Sequence, residues 1–398
     1  MSLSTLKPII IGLILSLPLM KKYLFLLFVS LISLTGSSSF AQKKLIKKLF
    51  SNDVDTSRSS SFLALPLLGY AQETGLEFGA VSLYSFYTDR RDTMTRASRL
   101  TGVATFTTKS QSNFQLKSDI WSPGNKYHYT SELRYKNFPF NFYGTGSGTL
   151  KANEDRITQK LFRINAGAEK RLGKITYTGL NVNYDNYRFT DKIAGGVFTT
   201  DPSVRDRDGG QVIFFGISQI VDNRNSNTYT TSGSYLKLNY SYAPDFFGGN
   251  NFDGGMFEAD LRSFKSLNKK LVIGVNGLFQ TIGNGNTPFY LLPQLGNDEM
   301  MRGYYTGRYR DENFLAMQAE LRLRLSPRFG FVGFAGTGTV YGKSNFRVAD
   351  LKPSIGGGFR YFFDIEKGLS VRMDYAFGEK RMGEDRQKGF YLSLGESF

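Results

Sequence analysis

The sequence contains no cysteine and a single histidine, His128, among 398 residues. A chain without thiols forms no disulfide framework, performs no thiol catalysis and carries no lipid-modified cysteine. A metal site would therefore need oxygen ligands, and a serine hydrolase would depend on His128, which no Gly-x-Ser-x-Gly motif accompanies. Asp201, Asp206 and Asp208 share one segment, but interleaved arginines favour a solvated loop over a Ca²⁺ site. We expect no enzyme, no cofactor and no metal.

The sequence also lacks a hydrophobic run long enough for a membrane-spanning helix. Its two apolar stretches, at residues 8–19 and 23–34, are both short for such a helix. Met20-Lys21-Lys22, the second stretch and Ser39-Phe40-Ala41 together form a complete secretory signal. We predict a signal peptide over residues 1–41 with Met20 as the true start. The alternative is an amino-terminal membrane anchor. Residues 42–60, basic and serine-rich, are predicted to form a short periplasmic tail.

Lysine and arginine outnumber aspartate and glutamate, and the formal net charge is +16. A basic balance can indicate nucleic-acid binding. In an exported chain, it instead predicts contact with anionic outer-membrane lipid and lipopolysaccharide, or a lumen lined by cations. We therefore expect no nucleic-acid partner.

Strict alternation of apolar and polar residues is the strongest pattern present. Apolar positions recur at every second residue in 315–325 and 369–378, and in 390–398 they are Phe390, Leu392, Leu394 and Phe398. A period of two indicates strands with one face in an apolar phase and the other in a polar one. Strands this long behind a secretion signal predict an all-β fold, a transmembrane β-barrel occupying residues 61–398. A soluble β-sandwich is the alternative.

Sixteen candidate strands follow from this pattern, and an even number suits a bacterial outer-membrane barrel. Short turns fall on the side shared by the two termini, whereas the connections near 138–156, 190–208 and 284–311 fall on the other side. The predicted strands lie near 62–70, 74–88, 98–109, 111–121, 125–137, 157–172, 173–189, 209–222, 230–243, 253–267, 268–283, 312–326, 328–342, 351–364, 366–379 and 386–398.

Several motifs resemble those of one known family. Arg302-Gly303-Tyr304 lies in the long connection before the twelfth predicted strand, and Phe398 ends the chain. Further matches are Asp222-Asn223-Arg224 with Gly233, Gly356-Gly357-Gly358-Phe359-Arg360, and Phe142-Tyr143-Gly144-Thr145-Gly146. In this combination the chain resembles the BamA/TamA-type outer-membrane barrel superfamily, also called the bacterial surface antigen family. The last motif is similar to short Bacteroidetes-type members.

The resemblance implies a sixteen-stranded antiparallel barrel whose long outer loop folds into the lumen. By that resemblance, Arg302 at the loop tip pairs with acids on the wall, the first of which corresponds to Glu320. The second position is occupied by Gly336 here, so Asp374 is expected to substitute. The last strand would carry an assembly signal made of Phe390, Leu392, Leu394 and Phe398. The family's periplasmic POTRA domains do not fit into residues 42–60, so we expect none.

The implied function is to assist assembly, insertion or translocation of proteins at the outer membrane of a Gram-negative, Bacteroidetes-like cell, with both termini periplasmic. Expected partners are the barrel-assembly machinery and either client outer-membrane proteins or subunits of an envelope complex. Two alternatives remain: a passive solute pore with a basic lumen, and a structural subunit of a larger envelope complex.

Overall fold

The protein is described here by a computed structural model covering residues 57–71, 75–248, 251–283, 286–343 and 345–398. The predicted signal peptide, its start at Met20 and most of the predicted tail lie outside these residues. Sixteen strands form one antiparallel sheet in chain order, and each overlaps one predicted strand. They are β1 (Ser61–Ala71), β2 (Gly75–Phe86), β3 (Ser98–Thr107), β4 (Ser112–Trp121), β5 (Tyr127–Phe142), β6 (Asp155–Arg171), β7 (Thr176–Thr190), β8 (Gly209–Asp222), β9 (Gly233–Ala243), β10 (Gly254–Ser266), β11 (Leu271–Gly283), β14 (Asn313–Arg324), β15 (Phe329–Tyr341), β16 (Lys352–Asp364), β17 (Leu369–Phe377) and β18 (Lys388–Leu394).

Two short strands, β12 (Gln294–Leu295) and β13 (Tyr309–Arg310), pair with each other within the long connection between β11 and β14. The helical content of the described residues is one α-turn, Val197–Thr200, and three 3₁₀ turns, Pro123–Asn125, Lys151–Asn153 and Val348–Asp350. Across those residues, no helix has the length and apolar character that a membrane span requires.

The predicted alternation is visible in the side chains of β14. Its odd-numbered residues, such as Met317 and Leu321, are exposed on the outer face, whereas Gln318, Glu320 and Arg322 are buried on the inner face. The apolar outer face suits lipid and the polar inner face lines a lumen, as in a transmembrane barrel.

The sheet curls so that its first strand returns to its last strands. Ser61, at the start of β1, hydrogen-bonds Asp364 and accepts a bond from Lys367 Nζ at 3.1 Å, in the turn between β16 and β17. These contacts bring the two ends of the sheet together on the inner side. The predicted fold class, a sixteen-stranded antiparallel barrel, is confirmed.

Because neighbouring strands are antiparallel, connections alternate between two ends of the barrel, named here the turn end and the loop end. The turn end carries the short turns 122–126, 172–175, 267–270, 325–328 and 365–368, and the loop end carries the long connections, among them 143–154 and 191–208. Two turn-end connections, 87–97 and 223–232, are longer than the tight turns predicted for that end.

The 223–232 turn extends beneath the barrel rather than reversing at once. Asn227 Nδ2 donates to the Ala97 carbonyl at 3.0 Å, and Thr228 donates to the Lys367 carbonyl. Arg96 also pairs with Asp222 at the end of β8. The turn therefore links the β2–β3 connection to the β16–β17 turn.

Candidate functional site

The long connection between β11 and β14 folds into the barrel. Leu295, Met300, Tyr304 and Tyr309 are buried, and they pack against inward side chains of β14 and β15, including Phe314. The β12–β13 pair holds the two arms of this loop together. We call residues 286–311 the lumen loop. Apolar contacts of this kind keep the loop inside because they remove its hydrophobic surface from water.

The tip of the lumen loop needs a glycine. Gly303 has a φ of +103°, and a Cβ there would lie 2.8 Å from the carbonyl carbon of Phe377. Its amide donates to Tyr391 Oη at 2.8 Å, so the backbone of the tip touches β17 and β18 directly. A side chain at this position would push the tip away from the wall.

Arg302 is fully buried, with 0% of its surface exposed. Its Nη1 donates to Asp374 Oδ2 at 2.6 Å, and its Nη2 donates to Glu320. The guanidinium lies 3.4 Å from the centroid of the Phe334 ring. The structure thus brings together the loop arginine and both predicted partners. We call Arg302, Glu320 and Asp374 the clamp.

Two glycines shape the surroundings of the clamp. Gly336, the position at which the resemblance implied a second acid, leaves room for Gln318, whose amide oxygen lies 3.5 Å from Arg302 Nη2. Gly358 faces Asp374 across the β16–β17 ladder, and a Cβ there would be 1.9 Å from Asp374 Oδ1. The second carboxylate of the clamp therefore comes from Asp374 in β17 rather than from β15, the strand that carries Gly336.

Further charges surround the clamp in alternating sign. Arg322 Nε donates to Glu320 at 2.9 Å, and Arg360 donates to both Asp374 and Glu396. A buried charge needs several charge-assisted hydrogen bonds to offset the cost of leaving water. The network holds four arginines and four carboxylates: Arg302, Arg322, Arg360 and Arg372 with Glu320, Asp374, Glu396 and Asp298.

Tyr304 fixes the loop on the side opposite the arginine. Its hydroxyl donates to the Pro353 carbonyl at 2.6 Å and accepts from the Glu379 amide at 2.7 Å. Ser354 Oγ donates to the Arg302 carbonyl at 2.6 Å. All three residues of the predicted loop-tip motif therefore contact the wall formed by β16, β17 and β18 or the connection that follows β17.

The prediction that the last strand continues to Phe398 is wrong. β18 ends at Leu394, and Gly395 has a φ of +85°, which turns the chain out of the sheet. Phe398 is 8% exposed and lies inside the barrel, where the centroid of its ring lies 5.6 Å from that of the Phe264 ring. We call residues 395–398 the terminal tail.

The terminal tail joins the clamp network. Ser397 Oγ donates to Glu320 at 2.6 Å, and Arg322 donates to the Phe398 carbonyl at 2.9 Å. Phe398 therefore does not share the outer face of β18, where Phe390 and Leu392 are exposed. The sequence did not show this arrangement because Phe398 keeps the even-numbered spacing of Phe390, Leu392 and Leu394, although Glu396 interrupts that apolar face.

His128 lies inside the barrel between two acids. It hydrogen-bonds Asp119 and Glu169 and stacks on Trp121 with ring centroids 4.0 Å apart. Within the described part of the chain, no group of three or more His, Cys, Asp or Glu side chains is arranged to hold a metal ion. Asp208, one of the three aspartates considered above for Ca²⁺, pairs with Lys192.

Aromatic residues of the loop end form a second packed region that the sequence did not reveal. Phe142, Phe198 and Phe289 come from three different connections or their flanking strands and are completely buried against each other. Arg310 of the lumen loop lies 5.0 Å from the Phe142 ring. The high aromatic content of these segments was the available signal, but nothing local shows which loops meet.

The family model that describes the Omp85 superfamily domain matches residues 81–398. This chain belongs to the Omp85 superfamily. Similar solved structures are BamA from Haemophilus ducreyi lacking POTRA domains 1–3 (13% identity, TM-score 0.52), CdiB from Acinetobacter baumannii (12%, 0.54) and CdiB from Escherichia coli (9%, 0.56). No curated protein matches the chain in sequence.

The Omp85 chain described here covers 70%, 60% and 62% of those three chains, in that order, and 85% of its own length is matched each time. Identities this low show a shared fold. Together with the family match and the apolar outer face, they identify the protein as an Omp85-type outer-membrane barrel.

Proposed function

We propose that this Omp85 barrel assists the insertion, assembly or translocation of proteins at the outer membrane, without enzymatic activity. The observation that carries the proposal is the lumen loop, anchored inside the barrel by the clamp of Arg302, Glu320 and Asp374. A buried charge network of this kind holds one loop position firmly, since breaking it strands a charge in a dry site. BamA and CdiB barrels share the fold.

The test is a folding assay in liposomes. Purified protein is reconstituted, a urea-unfolded outer-membrane protein is added, and its folding is followed by heat-modifiable gel migration. We expect the wild type to accelerate folding over empty liposomes and Arg302→Ala to lose most of that acceleration. Arg347→Ala is the matched control, because Arg347 is an exposed loop arginine paired with Asp350. No acceleration by the wild type would contradict the proposal, as would equal loss in the control.

The rival function, a passive pore with a basic lumen, is tested by conductance. The lumen loop and the terminal tail occupy the lumen, which supports low conductance for the wild type. Arg302→Ala and Glu320→Ala should each raise conductance, and the double variant should add little, because both remove the same interaction. High conductance of the wild type, unchanged by either substitution, would favour the pore.

We further propose that both termini are periplasmic and that the loop end faces outward. The absence of cysteine allows single-cysteine labelling. Thr199→Cys at the loop end should react with an impermeant maleimide on whole cells, and Lys269→Cys at the turn end should react only after lysis. The reverse pattern would refute this orientation.

Partnership with the barrel-assembly machinery, with client proteins or with envelope-complex subunits stays a proposal, as does the Bacteroidetes-like origin. Co-purification from native membranes tests the partners.

A further inference from the structure

The outer face of strands β4 to β6 changes character stepwise toward the loop end, and Arg188 of β7 continues the last row. An aliphatic row and then an aromatic row are exposed there, and such rows mark the apolar belt of a barrel and its edge. The row beyond them should therefore lie at the level of the lipid headgroups. The three rows are Leu116, Leu133 and Ile164; Phe114, Tyr135 and Phe162; and Ser112, Asn137, Lys160 and Arg188.

Two cations face each other in the headgroup row. Lys160 and Arg188 are direct partners across the β6–β7 ladder, and both are exposed on the outer face. Like charges placed directly opposite each other destabilise a sheet unless an anion lies between or above them. Arg156 projects from the same face of β6, four residues closer to the loop end. The facing pair of Lys160 and Arg188 is unfavourable for the isolated protein and favourable beside a polyanion.

A groove of about 780 Å³ runs along these cations. Lys109, Arg156 and Lys160 line it, whereas Asp191 is its one acidic lining residue. Neutral hydrogen-bonding side chains fill the spaces between the charges: Ser110, Gln111, Asn137, Thr158 and Thr190. The groove thus offers cations for phosphates and hydroxyl or amide groups for a polar scaffold such as a sugar.

The other wall of the barrel lacks this feature. A cross-strand row near the loop end of β9, β10, β11, β14 and β15 is uncharged: Tyr240, Phe257, Thr281, Asn313 and Tyr341. Lys388, at the loop end of β18, is also exposed on the outer face, but it faces Phe377 rather than a second cation. This row and Lys388 therefore show no facing pair of cations like that of Lys160 and Arg188.

We propose that this outer groove, lined by Lys109, Arg156 and Lys160 and flanked by Arg188 across the β6–β7 ladder, binds the headgroup of a phosphorylated glycolipid in the outer leaflet. Several cations spread along the strands suit a ligand with more than one phosphate, because each cation contacts one phosphate. The interleaved serine, threonine and amide side chains suit its sugar hydroxyls. The aromatic row below contacts the start of the acyl chains. This assignment rests on the proposed orientation, in which the loop end faces outward, and not on the function proposed for the lumen.

Native mass spectrometry of the delipidated, detergent-purified protein tests it. The probes are diphosphorylated lipid A and phosphatidylglycerol, titrated separately. We expect the wild type to retain lipid A in preference to phosphatidylglycerol. The double variant Lys160→Gln/Arg188→Gln should weaken lipid A binding by about one order of magnitude or more, because each basic residue at an anionic headgroup contributes on the order of 1 kcal/mol.

Two controls make the result specific. Lys269→Gln/Lys270→Gln removes the same charge at the turn end and should leave lipid A binding unchanged. The charge-preserving variant Lys160→Arg/Arg188→Lys should bind nearly as well as the wild type. Heat-modifiable migration on a gel is used to check that every variant is folded. Equal weakening in the turn-end control, unchanged binding in the groove variant, equal retention of phosphatidylglycerol, or displacement by millimolar inorganic phosphate would each overturn the proposal.

Discussion

At the scale of single residues, the clamp depends on where side chains are absent as much as on where they are present. Gly358 leaves the space that the Asp374 carboxylate occupies, and Gly336 leaves the space for Gln318. Asp374 can therefore reach Arg302. The second carboxylate of the clamp comes from β17, two strands further along the sheet than Gly336 in β15.

Gly358→Ala tests whether Asp374 needs the space that Gly358 leaves. The added methyl would collide with Asp374, and displacing that carboxylate would leave Arg302 and Arg360 with one partner fewer each. Loss of one member of a buried pair costs about 3–5 kcal/mol, so we expect faster protease cleavage of the lumen loop in the purified protein. Gly333→Ala is the control, because nothing lies within 4 Å of a Cβ there. Equal cleavage rates in both variants would show that Asp374 does not depend on Gly358.

At the scale of elements, the terminal tail connects the last strand to the lumen loop. Glu396 binds Arg360, Ser397 binds Glu320, and the Phe398 ring lies 4.7 Å from the Arg322 guanidinium. Any movement of β18 would therefore change the surroundings of the clamp. The assembly-signal role implied for Phe390, Leu392, Leu394 and Phe398 stays a prediction.

Phe398→Ser tests the contribution of the terminal tail separately from that of the outer face of β18. Removing a buried aromatic ring costs about 3–5 kcal/mol when the cavity stays open, and the lost packing should loosen the lumen loop in protein that has already folded. Phe390→Ser is the comparison, since Phe390 is 65% exposed on the outer face. Hydrogen exchange of residues 295–310 should rise in Phe398→Ser alone. A rise in both variants, or in neither, would contradict the coupling.

The strand register gives a second prediction at this scale. Ile164 is 45% exposed on the outer face near the middle of β6, and Asn165 points into the lumen opposite Glu132. Arginine at a lipid-facing position near mid-bilayer costs about 2–4 kcal/mol, so Ile164→Arg should lower the unfolding midpoint in lipid vesicles. Asn165→Arg should leave it nearly unchanged. The opposite ranking would mean that the register is shifted by one residue.

At the scale of the whole molecule, the barrel is occupied from three directions. The lumen loop fills it from the loop end, the terminal tail enters from β18, and the 223–232 turn extends across the turn end. Each of these segments contacts strands that are distant in sequence. The interior is therefore a packed, charged core rather than a uniform channel.

Cross-linking tests the position of the 223–232 turn. In this cysteine-free chain, the pair Ala97→Cys/Asn227→Cys should cross-link with a short bifunctional reagent, because Asn227 hydrogen-bonds the Ala97 carbonyl. The closed loop should migrate faster on a denaturing gel. Thr199→Cys/Asn227→Cys, with its two cysteines at opposite ends of the barrel, should not cross-link. Failure of the first pair in folded protein would place the turn elsewhere.

The sequence by itself determined the architecture: sixteen strands, their inward and outward faces, and the long connection that carries Arg302. Alternation fixes these features because each strand has one face in lipid and one in the lumen. Only the tertiary structure decided that Arg360, Glu396 and Ser397 join the clamp network, that Phe398 lies inside and that three loop aromatics meet. Those outcomes depend on contacts between residues far apart in sequence and on the space left by glycines, neither of which is contained in a local pattern.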